Sequence, residues 1–96
     1  MLFRSRHELA HVAIENLSQR RAPRWLLEGL AIHFAGEGRL YSKPARPLPL
    51  AALEQQLSMP TTPQQMKELY GLAYAETRRL IQAMGEAKVW QKATNP

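Results

Sequence analysis

The amino-acid sequence predicts an all-α fold, a small bundle of helices. Apolar residues recur at helical spacing along almost the whole chain, and signals for strands are nearly absent. The proline residues, together with Gly36, Gly38 and Gly85, fall between these periodic segments or at their ends, where helices begin and end. With 96 residues, of which 45% are hydrophobic, the chain is long enough for one small core, so we expect a single domain over residues 1–96.

Two helices are predicted in the first third of the chain. Helix one covers about Phe3–Ser18, where apolar residues recur at helical spacing, and a short polar and basic turn follows. Helix two covers about Pro23–Ala35, with Pro23 near its first position, where a missing N–H costs nothing. Gly36 and Gly38 end this helix.

A loop and a set of C-terminal helices make up the rest of the chain. Residues 41–49 are rich in proline and basic side chains, which predicts a loop. The helices occupy about residues 50–92. The first of them is short, Leu50–Leu57, and Pro60 follows it. At the other end, Glu86–Lys92 adds a last turn or two.

A capping signal opens the long helix of this region. The four residues TPQQ read as a capping box, with Thr62 at the N-cap and Gln65 three residues later. The helix continues to Met84 or breaks near Gly71, and the sequence leaves both alternatives open. Gly85 is the residue expected just after its end.

Predicted helix one contains an H-E-x-x-H motif, formed by His7, Glu8 and His11. Two histidines four positions apart lie on one helix face, with Cβ atoms roughly 5–6 Å apart. Both imidazoles can therefore reach one Zn²⁺ at about 2.0–2.1 Å. Glu8 sits next to the first ligand, so its carboxylate can reach a metal-bound water.

Glu28 is the residue that the spacing favours as a third ligand. It lies 17 residues after His11, and an antiparallel return of helix two would bring it beside the two histidines. His₂Glu is one of the standard ligand sets of catalytic zinc sites. The alternative is an ordinary surface glutamate, but a carboxylate in so apolar a stretch needs a partner. Gly29 beside it would allow the close helix approach that the site requires.

Groups that orient the histidines are less readable from the sequence. Zinc-bound imidazoles usually donate their other N–H to a carboxylate or a backbone carbonyl. The chain has no aspartate, so the candidates are Glu15, Glu37 and Glu76, or backbone carbonyls. His33, five residues after Glu28, points elsewhere on its helix, and we expect it to have a structural role.

In its first third, the chain resembles a known family. The active-site segment of gluzincin zinc metallopeptidases is similar to the run from His7 to Gly36, HELAHVAIENLSQRRAPRWLLEGLAIHFAG. The resemblance is greatest to the bacterial peptidase MA-like domains, whose pattern is HExxH followed by PxWLxEGxA. A weaker similarity continues from Ala73 to Gly85, where the family has a helix of the type AYAxSxxxxxLIxxxG.

The resemblance implies a zinc-dependent peptidase that acts on a peptide or protein substrate, with Glu8 as the general base. The residues that it assigns to the Zn²⁺ site are His7, His11 and Glu28. In related gluzincins, a tyrosine or histidine from a downstream helix donates a hydrogen bond to the oxyanion. The family's A-Y-A pattern places Tyr74 in this catalytic role, with Tyr70 as the second choice. An ordinary core tyrosine remains an equal alternative at this position.

A further expectation concerns the N-terminal part of the family's fold. Gluzincin peptidases carry a small β-sheet before the HExxH helix, and its edge strand binds the substrate backbone. Six residues precede His7, so the resemblance implies a partial catalytic domain, with a missing N-terminal segment or a homo-oligomer that covers the exposed surface. The alternative function is a zinc-binding helical module that acts in partner binding without turnover.

The net charge of +5 raises a weaker alternative, a basic nucleic-acid-binding domain. Basic residues cluster at Arg20/Arg21/Arg24, Arg39/Lys43/Arg46 and Arg78/Arg79. No aromatic residue is interleaved with them and no binding motif is present, so a solvated surface is the preferred interpretation. Nucleic acid is therefore not an expected partner.

Missing residue types and segments narrow the alternatives further. The chain has no cysteine, which excludes disulfides, cysteine-ligated zinc and thiol catalysis. No apolar run approaches the ~18–20 residues that a membrane span needs. No signal peptide precedes His7, so the chain as it stands is expected to be cytoplasmic, and its compartment is otherwise unknown.

Overall fold

The computed structural model describes residues 6–19, 21–41, 48–59 and 61–95. These residues form five α-helices and a 3₁₀ turn at Gly38–Tyr41, and they contain no strand. The helices are α1 (Arg6–Ser18), α2 (Arg24–Ala35), α3 (Leu50–Leu57), α4 (Pro63–Met84) and α5 (Glu86–Thr94). The predicted all-α bundle is confirmed.

Most of the predicted helix bounds agree with the observed ones. α3 has the expected bounds, and α4 is continuous past Gly71. α2 starts one residue later than expected, because Pro23 is its N-cap residue. α5 ends two residues later than predicted. Predicted features outside the described residues are the start of helix one at Phe3, the loop residues 42–47, Pro60 and the basic residue Arg20.

The N-terminus of α4 carries the predicted Thr62 cap. The Gln65 backbone N–H donates to the Thr62 hydroxyl at 3.2 Å, and Pro63 occupies the first helical position. The Gln65 side chain accepts a hydrogen bond from the Thr61 hydroxyl. The Thr62 half of the predicted capping box is therefore formed, whereas the Gln65 side chain bonds to Thr61 instead of reaching back to the Thr62 backbone N–H.

The N-terminus of α2 is capped from another helix. Pro23, at the N-cap, has no side-chain acceptor for the first N–H groups. The Glu54 carboxylate of α3 accepts hydrogen bonds from the backbone N–H groups of Arg24 at 2.8 Å and Trp25 at 3.0 Å. A negative charge at this end also interacts favourably with the helix dipole. α3 thereby positions the start of α2.

α2 is the centre of the bundle. It packs against α1 on one side and α4 on the other, and it also contacts α3 and α5. Seven of its twelve residues are buried, including Trp25. The large, fully buried hydrophobic side chains come from four of the helices and are Ile14, Leu26, Leu30, Ile32, Leu53 and Val89. The position of every other helix is thus defined relative to α2.

Gly29 sets the distance between α2 and α4. A Cβ atom at this position would lie 2.7 Å from the Ala73 backbone oxygen and would overlap the Thr77 side chain. The crossing therefore requires a residue without a side chain. The close helix approach expected at Gly29 is present, and it serves α4 rather than the histidine helix.

Helix α1 carries apolar residues on two faces. Ala10 and Ile14 are buried against the bundle. Leu9, Val12 and Leu17 lie outward and are 41%, 38% and 66% exposed. None of the described helices is long and apolar enough to cross a membrane.

Candidate metal centre

Helix α1 presents His7 and His11 on one face. Their rings stack, with centroids 5.0 Å apart and planes inclined by 22°. Both side chains are half-buried where α1 packs against α2. The four-residue spacing on a helix is therefore sufficient to bring two imidazoles together.

Glu28 of α2 completes a group of three potential ligands. Its Oε1 lies 2.8 Å from His11 Nε2 and 3.4 Å from His7 Nε2. One donor atom of each residue lies within 4.8 Å of the other two. Tetrahedral zinc with bonds of about 2.0–2.1 Å separates its ligand atoms by roughly 3.4 Å. The donor set and its spacing therefore fit a zinc ion.

The pKa of His11 is raised, chiefly because its ring hydrogen-bonds to Glu28. Partial burial acts in the opposite direction, whereas the charges of Glu28 and Glu15 raise this pKa further. Protonated His11 and the Glu28 carboxylate form a charge-assisted hydrogen bond. A proton and a metal ion compete for the same nitrogen lone pair, so metal binding at this residue would release a proton.

His7 is held from its other side by Glu37. The Nδ1–H group donates to Glu37 Oε1 at 2.8 Å, which leaves Nε2 facing Glu28. Of the three glutamates considered from the sequence, Glu37 is hydrogen-bonded to a motif histidine in the described contacts, whereas Glu76 pairs with Arg79. A carboxylate behind a zinc-bound imidazole orients the ring and raises its basicity.

A helix-ending turn places Glu37 beside α1. Gly36 has the left-handed conformation, with φ 72°, and its N–H donates to the His33 carbonyl. The Glu37 N–H donates to the Ile32 carbonyl at 3.0 Å. Together these two bonds form a Schellman motif, which reverses the chain after a helix. Gly36 signals this turn in the sequence, but nothing local signals that His7 is the partner of Glu37.

Two further residues near the motif have their own surroundings. Glu8, the predicted general base, is exposed on α1 directly after His7, and its catalytic role stays a prediction. His33 hydrogen-bonds to Glu86 of α5 and is not one of the three clustered ligands. This contact agrees with the structural role expected for His33.

Near the 3₁₀ turn, the tyrosines fall into two environments. The Tyr74 hydroxyl lies directly against the backbone of Gly38, and the Arg78 guanidinium lies 5.7 Å from the centroid of its ring. Tyr41 and Tyr70 pack edge to face, with centroids 6.2 Å apart. These contacts leave the choice of Tyr74 as a catalytic residue a prediction.

Tyr70 and Tyr41 lie within electrostatic reach of the candidate metal centre. Burial raises the pKa of Tyr70, and the charge of Glu28 raises it further. Burial also raises the pKa of Tyr41, with added effects of Glu37 and Glu28. Both hydroxyls therefore stay protonated and able to donate hydrogen bonds. Sequence reasoning missed Tyr41, because it starts the predicted loop and belongs to no motif.

Comparisons with known proteins add no assignment. No protein-family model, no curated protein and no solved structure matches the chain significantly. The similarity to gluzincin peptidases therefore rests on the sequence motifs alone. To these motifs the structure adds the meeting of His7, His11 and Glu28 in one place.

Proposed function

We propose that this protein is a zinc-dependent metallopeptidase of the gluzincin type, with Zn²⁺ bound by His7, His11 and Glu28. The observation that carries the proposal is the cluster itself, because donor atoms from two helices lie within 4.8 Å of one another. The motif also supplies Glu8 beside a ligand, which a purely structural zinc site would not need. The hydrogen bond from His7 to Glu37 gives further support.

The residues of the centre have separate roles in peptide hydrolysis. A bound Zn²⁺ would supply a Lewis acid and lower the pKa of water toward ~7. Glu8 accepts a proton from the attacking water and later delivers it to the leaving amine. Glu37 holds His7 in the tautomer that presents Nε2. Tyr74 or, one turn earlier, Tyr70 donates a hydrogen bond to the developing oxyanion.

A zinc-binding helical module without turnover is the second candidate. The described residues include no strand edge, on which peptidases of this type hold the substrate backbone. Such a module would use the exposed apolar face of α1, formed by Leu9, Val12 and Leu17, to bind a partner. Both candidates share the metal site, and they differ in their need for Glu8.

Calorimetric titration with zinc tests the metal site. We expect one equivalent of Zn²⁺ per chain, and loss of binding in His11→Ala and Glu28→Ala because each removes a ligand. His33→Ala is the matched control, since His33, the third histidine of the chain, bonds to Glu86 outside the cluster. A protein that takes up no zinc, or equal losses in His11→Ala and His33→Ala, would contradict the proposal.

Hydrolysis of fluorescein-labelled casein separates the enzyme from the module. The zinc-loaded protein should cleave the substrate, and Glu8→Gln should lose cleavage while it keeps zinc. Zinc binding without cleavage by the wild-type protein would favour the module instead. Tyr74→Phe and Tyr70→Phe then identify the oxyanion donor, since loss of one donor lowers kcat by about 10²–10³-fold with zinc affinity unchanged.

A further inference from the structure

A cavity with two arginines in its lining lies beside the 3₁₀ turn. It has a volume of about 540 Å³ and lies between the end of α2, the 3₁₀ turn and α4. Its polar lining consists of His33, Arg39, Tyr74, Arg78 and Gln82, with Gly38 in the wall at the 3₁₀ turn. Among the described residues, this lining contains two arginines, and its His33 pairs with the Glu86 carboxylate at the edge of the cavity. Such a lining favours an anionic ligand.

The two neighbouring arginines of α4 differ in their surroundings. Arg79 pairs with Glu76 on its own helix. Arg78 lies over the Tyr74 ring, and no carboxylate of a described residue lies within 4.0 Å of its guanidinium. A guanidinium stacked on an aromatic ring keeps its planar fork of N–H donors for a carboxylate. Arg78 is therefore available to a ligand in the cavity, whereas Arg79 is neutralised.

The cavity wall is connected to the candidate metal centre through Glu37 and His7. Gly38 in its wall follows Glu37, whose carboxylate accepts the His7 Nδ1–H hydrogen bond at 2.8 Å. Consecutive Cα atoms are about 3.8 Å apart, and an extended peptide advances by about 3.3–3.6 Å per residue. Glu37 lies on the Nδ1 side of His7 and Glu28 on its Nε2 side, so an extended peptide needs several residues to pass from the candidate metal centre around His7 to the cavity.

We propose that this cavity binds the side-chain carboxylate of an acidic residue in the peptide substrate. Arg78 makes the contact through its guanidinium. That the ligand is a peptide substrate rests on the proposed function, whereas carboxylate binding by the cavity is independent of it. Of the two neighbouring arginines, Arg78 is thus the binding residue and Arg79 a surface residue.

NMR titration with acetyl-glutamyl amide tests the cavity, with acetyl-glutaminyl amide as the uncharged probe. The glutamyl probe should shift the amide resonances of the cavity lining and bind about tenfold more tightly than the glutaminyl probe. Arg78→Gln should weaken its binding by about tenfold, the loss expected for a hydrogen bond between charged groups. Arg79→Gln, the matched control, should change binding by less than about twofold.

Other results would overturn the proposal. Equal binding of the two probes, or equal losses in Arg78→Gln and Arg79→Gln, would exclude a carboxylate site at Arg78. Inorganic phosphate that binds about tenfold more tightly than the glutamyl probe would identify a phosphate site instead. Arg78→Lys is the second variant: it keeps the charge and the fold but loses the fork, so it should bind the probe more weakly than wild type.

The titration is made with and without Zn²⁺. Probe binding that persists when zinc binding fails would refute the proposed function and leave the carboxylate site intact. Zinc binding and cleavage without probe binding would refute the carboxylate site and leave the peptidase intact. The two proposals therefore fail in distinguishable ways.

Discussion

Neighbouring residues of α2 face two different environments. Glu28 turns toward the histidines of α1 and keeps 13% of its side chain exposed, whereas Gly29 is buried against α4. The Glu28 side is joined to α1 by contacts of 2.8 and 3.4 Å between polar atoms. The Gly29 side leaves no room for a methyl group. α2 thus has a polar interface with α1 and a rigid, close-packed interface with α4. The rigid interface fixes the position of Glu28, the candidate ligand.

Both α1 and α4 bury a hydroxyl without a hydrogen-bond partner among the described residues, at Ser18 and Thr77, and the two interfaces differ instead in their exchangeable polar contacts. On the α4 side, the Thr77 hydroxyl is fully buried and has no hydrogen-bond partner among the described residues. Such a group costs roughly 1–3 kcal/mol, so packing maintains this contact despite that cost. On the α1 side, His7 and His11 hold polar contacts that a metal ion can replace. The rigid contacts of α2 therefore lie on its α4 side, and the contacts that a metal ion can replace lie on its α1 side.

Gly29→Ala should have the largest effect, because it breaks the rigid interface. The new methyl group would collide with the Ala73 backbone oxygen, which has less freedom to move than a side chain. We expect a loss of about 3 kcal/mol in the free energy of unfolding, measured by urea denaturation. Gly71→Ala is the control, since its Cβ would lie 3.5 Å from the nearest atom, the Tyr41 oxygen, and mid-helix alanine is favoured. Equal losses would show that the close contact does not hold α2.

Glu37→Gln should have an intermediate effect that is confined to the polar interface. The amide keeps the shape of the side chain but loses the charge that faces His7. Zinc affinity should fall about tenfold by calorimetry, with the urea midpoint almost unchanged. Glu76→Gln, which removes a charge paired with Arg79, should leave zinc affinity as it is. A loss of folding stability as large as that of Gly29→Ala would mean that the two interfaces are not separable.

Glu54→Ala should have the smallest effect and act on both interfaces alike. Its carboxylate caps the N–H groups of Arg24 and Trp25, so its removal should cost about 1 kcal/mol and lower the thermal midpoint. Zinc affinity should be retained, because Glu28 lies about one turn further along α2. Gln55→Ala, at the exposed neighbouring position, is the control. Identical melting of the two variants would exclude a capping role for Glu54.

Local signals are sufficient to predict most of the helices. The Thr62 cap, the Gly36 turn and the bounds of α3 all depend on interactions within a few residues of the chain. The 3₁₀ turn has no such signal. It packs on α4, where Gly38 meets the Tyr74 hydroxyl, so its conformation depends on a distant segment. The periodicity of apolar residues therefore predicts the helices, but it does not predict a turn whose conformation depends on tertiary contacts.

The candidate site is predictable in part, for the same reason. His7 and His11 share a face because the helix repeat requires it, and an antiparallel return of helix two was enough to place Glu28 near them. The contacts of Glu37 and Glu54 join residues 30 positions apart in the chain. Such contacts arise from the packing of whole helices, and no residue pattern in either segment indicates the partner.

A ten-residue segment of the chain holds the His7 imidazole at both of its nitrogens. Glu28, at the start of this segment, faces Nε2, and Glu37, at its end, accepts from Nδ1. The ring has therefore lost its rotational freedom when α2 and its terminal turn fold, before any ion arrives. Capturing an ion then requires exchange of a contact rather than the ordering of a loose side chain. Folding thus already includes the entropic cost of ordering His7, and metal binding is more favourable by that amount.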